Sequence, residues 1–288
     1  MNWKALLIVG GIIFLIVAGF ITARFLFPAK ITNSSRSGIY LGNQIWNGDI
    51  LITGDTTIIG SLTVLPGTIV RFAVQDDQHS GDETSADGYN DDDPTRLVAY
   101  SKTHSELVVL GKLTAIGLVD KKIIFTSAAL KPKLADWVGI SPLGDGSRIE
   151  YAIIEWSRHG IGIGNTNTPN SVFQKNIMHN TLWGPLSLGS SSAQAYDNEL
   201  FECGHEGIDV QGGNPIIIGN YVHDCHAGII VLAGSPTIKN NVLKNIGDGV
   251  HIQEGANPVL ENNTVELALE NNTKEWRYEG FAYRMYER

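Results

Sequence analysis

Short apolar alternations recur along the second half of the chain at a nearly fixed period. Asn198, Asn220, Asn241 and Asn263 stand 22, 21 and 22 residues apart. Each of the first three is followed eight or nine residues later by a glycine and an apolar pair: Gly207-Ile208-Asp209-Val210, Gly228-Ile229-Ile230-Val231 and Gly249-Val250-His251-Ile252. Pro215, Pro236 and Pro258 open the next unit each time. Within a unit the apolar residues fall on every second position, as in Ile216-x-Ile218 and Val250-x-Ile252. That is the period of a strand, not of a helix. A repeat of this length means stacking, because no unit buries its apolar face alone. A coil of about 22 residues, with two or three short strands turned at Gly, Asn and Pro, predicts an all-β parallel β-helix. The recurring Asn is the inner-turn residue, its amide bonding backbone groups and stacking on the equivalent amide of the next coil. Asn176 extends the series by a further 22 residues, and Ala152 holds the equivalent place one coil earlier.

The same alternation, less regular, reaches back to Gly38. Residues 50–52, 57–59, 62–64 and 69–72 read as short strands separated by Gly54-Asp55, Gly60 and Pro66-Gly67. Residues 75–95 interrupt the repeat, since they hold almost no large apolar side chains. Coils resume at Leu97, with strands expected over 107–113, 123–126, 137–140 and 149–154. After Val265 the pattern fails, and the remaining residues carry Trp276, Tyr278, Phe281, Tyr283 and Tyr286. An open β-helix end exposes unpaired strand edges that native proteins cover. Residues 266–288 therefore read as a cap, with a partner-binding patch as the alternative.

These repeats resemble the right-handed parallel β-helix family, which includes pectate-lyase-like proteins and periplasmic carbohydrate-binding and sugar-hydrolase proteins. The resemblance is clear over about residues 147–265, and the run Ser61-Leu-Thr-Val-Leu-Pro-Gly-Thr-Ile-Val-Arg-Phe72 is typical of the start of such helices. It implies a fold, whereas activities on this scaffold are many.

Ahead of the coils, residues 5–23 are 19 residues without a charge, bounded by Lys4 and Arg24. That is long enough to cross a bilayer as a helix. A cleaved signal peptide is the alternative, but Val17-Ala18-Gly19 only weakly matches a small-residue cleavage site. The chain thus divides into an anchor (1–29), a Ser- and Asn-rich linker (30–37), a β-helix (38–265) and the C-terminal segment. Flanking charges do not settle orientation; the resemblance places the bulk outside the cytoplasm.

Charge changes the picture at one place. The chain is 43% hydrophobic with a formal net charge of −9. Eight acids crowd residues 76–93 with no Lys or Arg among them, and the remaining 22 acids face 21 basic residues. Without a basic stripe, a nucleic-acid surface is excluded. Asp76, Asp77, Asp82, Asp87, Asp91 and Asp93, with Gly81 and Gly88 between them, are oxygen donors of the kind Ca²⁺ takes, although no EF-hand pattern is present. A plain solvated acidic loop is the alternative.

Equivalent positions of stacked coils form columns about 4.8 Å apart. Two residues before the recurring glycine stand Arg158, His205, His226 and Gly247, joined by Trp183 if its coil carries a one-residue bulge with Pro185 at the glycine position. One residue before it stand His159, Glu206, Ala227 and Asp248; two after it, Gly162, Asp209, Ile230 and His251. Trp183 could stack on a sugar, with Arg158, His159, Asp209 and His251 lining the strip. Glu206 and Asp248 are candidate acid and base, with His205 or His226 as proton shuttles. Turn residues are also polar simply because turns face water. Polygalacturonase-like relatives use N-T-D, D-D and G-H-G signatures. Gly204-His205-Glu206-Gly207 has an added Glu, Asp248-Gly249 lacks the second Asp, and the epimerase signature D-P-H is absent. Three function classes stay open: a carbohydrate-binding β-helix, a polysaccharide hydrolase or lyase, and a structural surface protein. Cys203 and Cys225, each five residues after its Asn, sit in adjacent coils as buried thiols, a disulfide, or half of a Cys₂His₂ metal site with His205 and His226.

Overall fold

A computed structural model of the chain describes residues 30–31, 35–74, 104–164, 168, 170–268, 277–278 and 281–282. Among them the architecture is a parallel β-solenoid. One sheet stacks ten strands, from Lys30–Ile31 to Val259–Glu261, every neighbouring pair parallel. A second, 15-stranded sheet wraps around a corner. Its long strands Asp49–Ile59, Glu199–Val210 and Tyr221–Val231 run through that corner and pair on both sides of it.

Period-2 alternation produces the core directly. Ile149, Phe173, Ala195, Ile217 and Ile238 are register partners in the first sheet and all are fully buried. Ile154, Met178, Leu200, Val222 and Leu243 form the matching column on one side of the second sheet, and Ile140, Ile161, Leu186, Ile208 and Ile229 on the other. At the last coil, Leu260 and Val265 hold the same inward positions but are 47% and 46% exposed.

The asparagines form the expected ladder. Asn220 Oδ1 accepts from the Asn198 backbone N–H (3.0 Å) and Asn198 Nδ2 (2.9 Å), while Asn220 Nδ2 donates to Ala195 O and to Asn241 Oδ1. Asn176 and Asn241 repeat the arrangement, and the Ala152 N–H donates to Asn176 Oδ1. Each ladder residue follows one with positive φ, as at Lys175, Asp197, Gly219, Asn240 and Asn262. A second such column, Trp156, Asn180, Glu202, Asp224 and Asn245, marks the corner of the wrapped sheet.

Several expectations change. Residues 107–113 are two strands, Leu107–Val109 and Leu113–Ile116, parted by a corner where the Gly111 N–H donates to Gly60 O. Residues 149–154 split at Tyr151, whose φ of 51° turns the chain between Arg148–Glu150 and Ala152–Glu155. Over 137–140 the strand starts only at Ile140; Trp137 makes a lone bridge to Ser157. Gly207, Gly228 and Gly249, expected at turns, lie buried within strands. A Cβ on Gly207 would meet Val222 Cγ1 at 2.3 Å, so packing selects glycine there.

Among the described residues no helix is long and apolar enough to cross a membrane. The expected anchor over residues 5–23 and the acidic insertion over 75–95 lie outside the described residues. Of the expected cap, Arg277–Tyr278 and Phe281–Ala282 pair antiparallel.

Candidate functional site

The register confirms the expected columns. Ile161, Leu186, Ile208, Ile229 and Val250 are successive partners. That sets Pro185 level with Gly160, Gly207, Gly228 and Gly249, as the bulge requires. The Trp183 N–H donates to Arg158 O, placing these two residues in adjacent coils. The Trp183 and His205 rings lie 4.7 Å apart between centroids, tilted by 33°, and His205 and His226 follow at 5.5 Å, tilted by 50°. Gly247 is the next residue of the column and carries no side chain. Three rings on successive coils therefore form one ladder, with His205 and His226 within the strands Glu199–Val210 and Tyr221–Val231.

Beside the ladder, His205 Nδ1 contacts Glu206 Oε2. The Glu206 side chain leans back over Gly184 of the preceding coil, and the residue is only 7% exposed. Asp209, expected on an open outward position, is 8% exposed, with Ser187 Oγ donating to its Oδ2 (2.9 Å) and Gln211 Nε2 to the same oxygen (3.1 Å). Burial, then the charge of Glu206, pushes the Asp209 carboxyl up to about 6. Desolvation disfavours the ionised form, and a neighbouring carboxylate disfavours it further.

Glu206 and Asp248, expected as an acid and base, are not brought together. They lie two coils apart with Ala227 between them, and Glu206 turns away from Asp248 toward Gly184. Asp248 instead pairs with His251, Oδ2 to Nδ1 at 3.0 Å. The electrostatically coupled carboxylates are Glu206 and Asp209. At the far end of the strip, Arg158 Nη1 contacts His159 Nε2. Burial, then the Arg158 charge, pushes the His159 imidazole down to about 3. Burial, then His205, also lowers His226, while Asp248 and Glu206 pull it partly back.

Cys203 and Cys225 are register partners joined as a disulfide, with Cα atoms 4.6 Å apart. The bond removes the Cys₂His₂ reading, because a thiolate tied in a disulfide cannot ligate a metal. Among the described residues no group of three or more His, Cys, Asp or Glu side chains is arranged to hold a metal ion. The six aspartates considered for Ca²⁺ lie outside the described residues.

Sequence reasoning missed Ser187 and Gln211, which hold Asp209. It also missed a second ladder across the corner. His179, Phe201 and His223 stack at 4.7 and 4.9 Å, with Tyr221 against His223 at 4.4 Å. Glu155 Oε2 lies 3.2 Å from His179 Nε2, and His223 Nδ1 lies 2.7 Å from Asp224 Oδ2. The chain does carry a signal for it: His179, Phe201 and His223 each follow a ladder Asn by three residues.

A family model described as right handed beta helix region matches residues 137–272. No curated protein and no solved structure matches the chain. The match spans the coils whose register, inward columns and asparagine ladder are described above, and together they support a right-handed β-helix repeat over this part of the chain.

Proposed function

We propose that this protein is a carbohydrate-binding β-helix that presents the Trp183–His205–His226 face to a polysaccharide outside the cytoplasm. The observation that carries the reading is the ring ladder with its flanking polar groups, Glu206, Asp209, Ser187 and Gln211. Saccharide sites combine apolar ring surface with a few fixed donors and acceptors. His205, His226, Glu206, Asp209 and Ser187 are carried on strands, whose rigidity fixes their geometry. Coils repeat about every 4.8 Å, so a strip of this kind offers a long polymer equivalent contacts along its length. Residues 5–23 would hold the protein at a membrane. The Cys203–Cys225 disulfide supports an oxidising, extracytoplasmic setting.

The experiment is a glycan array on the full chain, with reducing-end and unsaturated-product assays, each with and without Ca²⁺. Binding without turnover supports the reading. No binding across a broad panel overturns it and favours a structural role.

One observation favours a second reading, a polysaccharide hydrolase or lyase. Asp209, pushed to about 6, sits beside the ionisable Glu206 and His205. A carboxyl poised near neutral pH with a second carboxyl beside it is an arrangement that acid–base catalysis uses. Product formation lost in both Glu206→Gln and Asp209→Asn would establish that reading over simple binding.

A further inference from the structure

The ladder stops one ring short of a place that can hold another. Trp183, His205 and His226 succeed one another at 4.7 and 5.5 Å. The next residue of the column is Gly247, exposed and without a side chain. The coil after that brings Ala268 against Ile246, its N–H donating to Ile246 O at 2.8 Å, so this position too carries only a methyl group. The His226 ring thus has the tilted His205 ring on one side and, among the described residues of its column, no large side chain on the other. Asp248, adjacent to Gly247, is exposed and paired with His251 at 3.0 Å.

We infer that the notch over His226 at Gly247 is a subsite for one neutral pyranose ring, stacked on the imidazole and held through its hydroxyls by Asp248 and His251. The inference rests on the carbohydrate reading and locates its terminal ring. A sugar ring entering here takes the place of the missing fourth side chain of the ladder. One coil step, about 4.8 Å, is close to the spacing of stacked rings. The Asp248 carboxylate accepts from hydroxyls, and the His251 imidazole is positioned by Asp248 to meet a neighbouring one. Glu206 and Asp248 are both acidic and both close enough to His226 to act on its titration. A uronic acid in the notch would be repelled by the exposed Asp248 carboxylate beside it, so that charge selects a neutral sugar. Burial, then the charge of His205, lowers the His226 imidazole and so favours its neutral form, which suits ring contact over ion pairing.

The test is calorimetric titration of the detergent-solubilised full chain with cellohexaose, mannohexaose and maltohexaose, and with oligogalacturonate as the charged comparison. The variants are Gly247→His, which fills the notch, and His226→Ala, which removes its floor. His179→Ala, in the other ladder, is the control. A Cβ at Gly247 would lie 2.8 Å from His226 O, so that variant requires a small backbone shift; should it fail to fold, His226→Ala decides alone. We expect one neutral oligosaccharide to bind, both notch variants to weaken it about tenfold, the scale of one lost ring stack, and His179→Ala to leave it unchanged. Neutral-sugar binding that survives both variants overturns the subsite and leaves the carbohydrate reading standing. Binding of oligogalacturonate alone also overturns the subsite only. No binding to any glycan overturns both.

Discussion

The Glu206 carboxylate lies over Gly184 of the preceding coil, where an added Cβ would come within 2.5 Å of Oε1. Gly184 lacks a positive φ, so the constraint is space and not backbone conformation. Gly184→Ala should displace the end of a flexible side chain at a modest cost, about 1 kcal/mol. It should also lower the Asp209 pKa, because Glu206 is one of the groups raising it. Urea denaturation and NMR titration of the Asp209 carboxyl check the two effects. Adding Glu206→Ala should restore the stability.

Asp209 and His159 pull the pH dependence of stability in opposite directions. Asp209 binds its proton more tightly folded, at about 6, than at its ordinary 3.8. The folded state therefore loses stability as pH rises between those values, by up to about 3 kcal/mol. His159, lowered from 6.5 to about 3, stays neutral where the unfolded chain is protonated. It therefore costs stability as pH falls from 6.5. Asp209→Asn should remove the loss on the alkaline side and leave a curve that falls toward acid. His159→Gln should do the reverse. Denaturation midpoints from about pH 4 to 8 on both variants separate the two groups.

Reduction of Cys203–Cys225 should destabilise the coils that carry His205 and His226. The bond closes a loop with a sequence separation of 22. The chain-entropy model gives about 3 kcal/mol for a loop of that size. Denaturation with and without dithiothreitol measures the loss, and Cys203→Ser with Cys225→Ser should reproduce it under oxidising conditions.

Asn220→Ala should cost more than an ordinary buried polar-to-Ala change. Its Oδ1 accepts from the Asn198 backbone and side chain, and its Nδ2 serves Ala195 O and Asn241 Oδ1. Truncation strands these buried groups without water, and a single unsatisfied buried group costs about 1–3 kcal/mol. A loss of about 3 kcal/mol or more is expected. Hydrogen exchange should show the opening spreading to the neighbouring coils, since each ladder amide is held by the next.

Much of the fold is legible in the amino-acid sequence, for a reason particular to solenoids. Register between neighbouring coils equals the repeat in the chain, so Asn198, Asn220 and Asn241 stack by counting alone, as does His205 on His226. The irregular step of this column is legible too, since Trp183 joins it only with a bulge that puts Pro185 at the glycine position. Counting by three from the same asparagines reaches His179, Phe201 and His223.

Spacing and apolar pattern are enough to set the strand period, the stacked coils, the asparagine ladder and the membership of each column, because each of these is a property of the linear repeat. How the side chains are used within those columns is settled by packing in three dimensions. Packing turns Glu206 toward Gly184 and away from Asp248, covers Asp209 with Ser187 and Gln211, joins Cys203 to Cys225, and puts Gly207 inside a strand against Val222. Direction of lean, burial and bonding depend on the space left by residues one coil away, and that space is set across coils, which no single repeat contains.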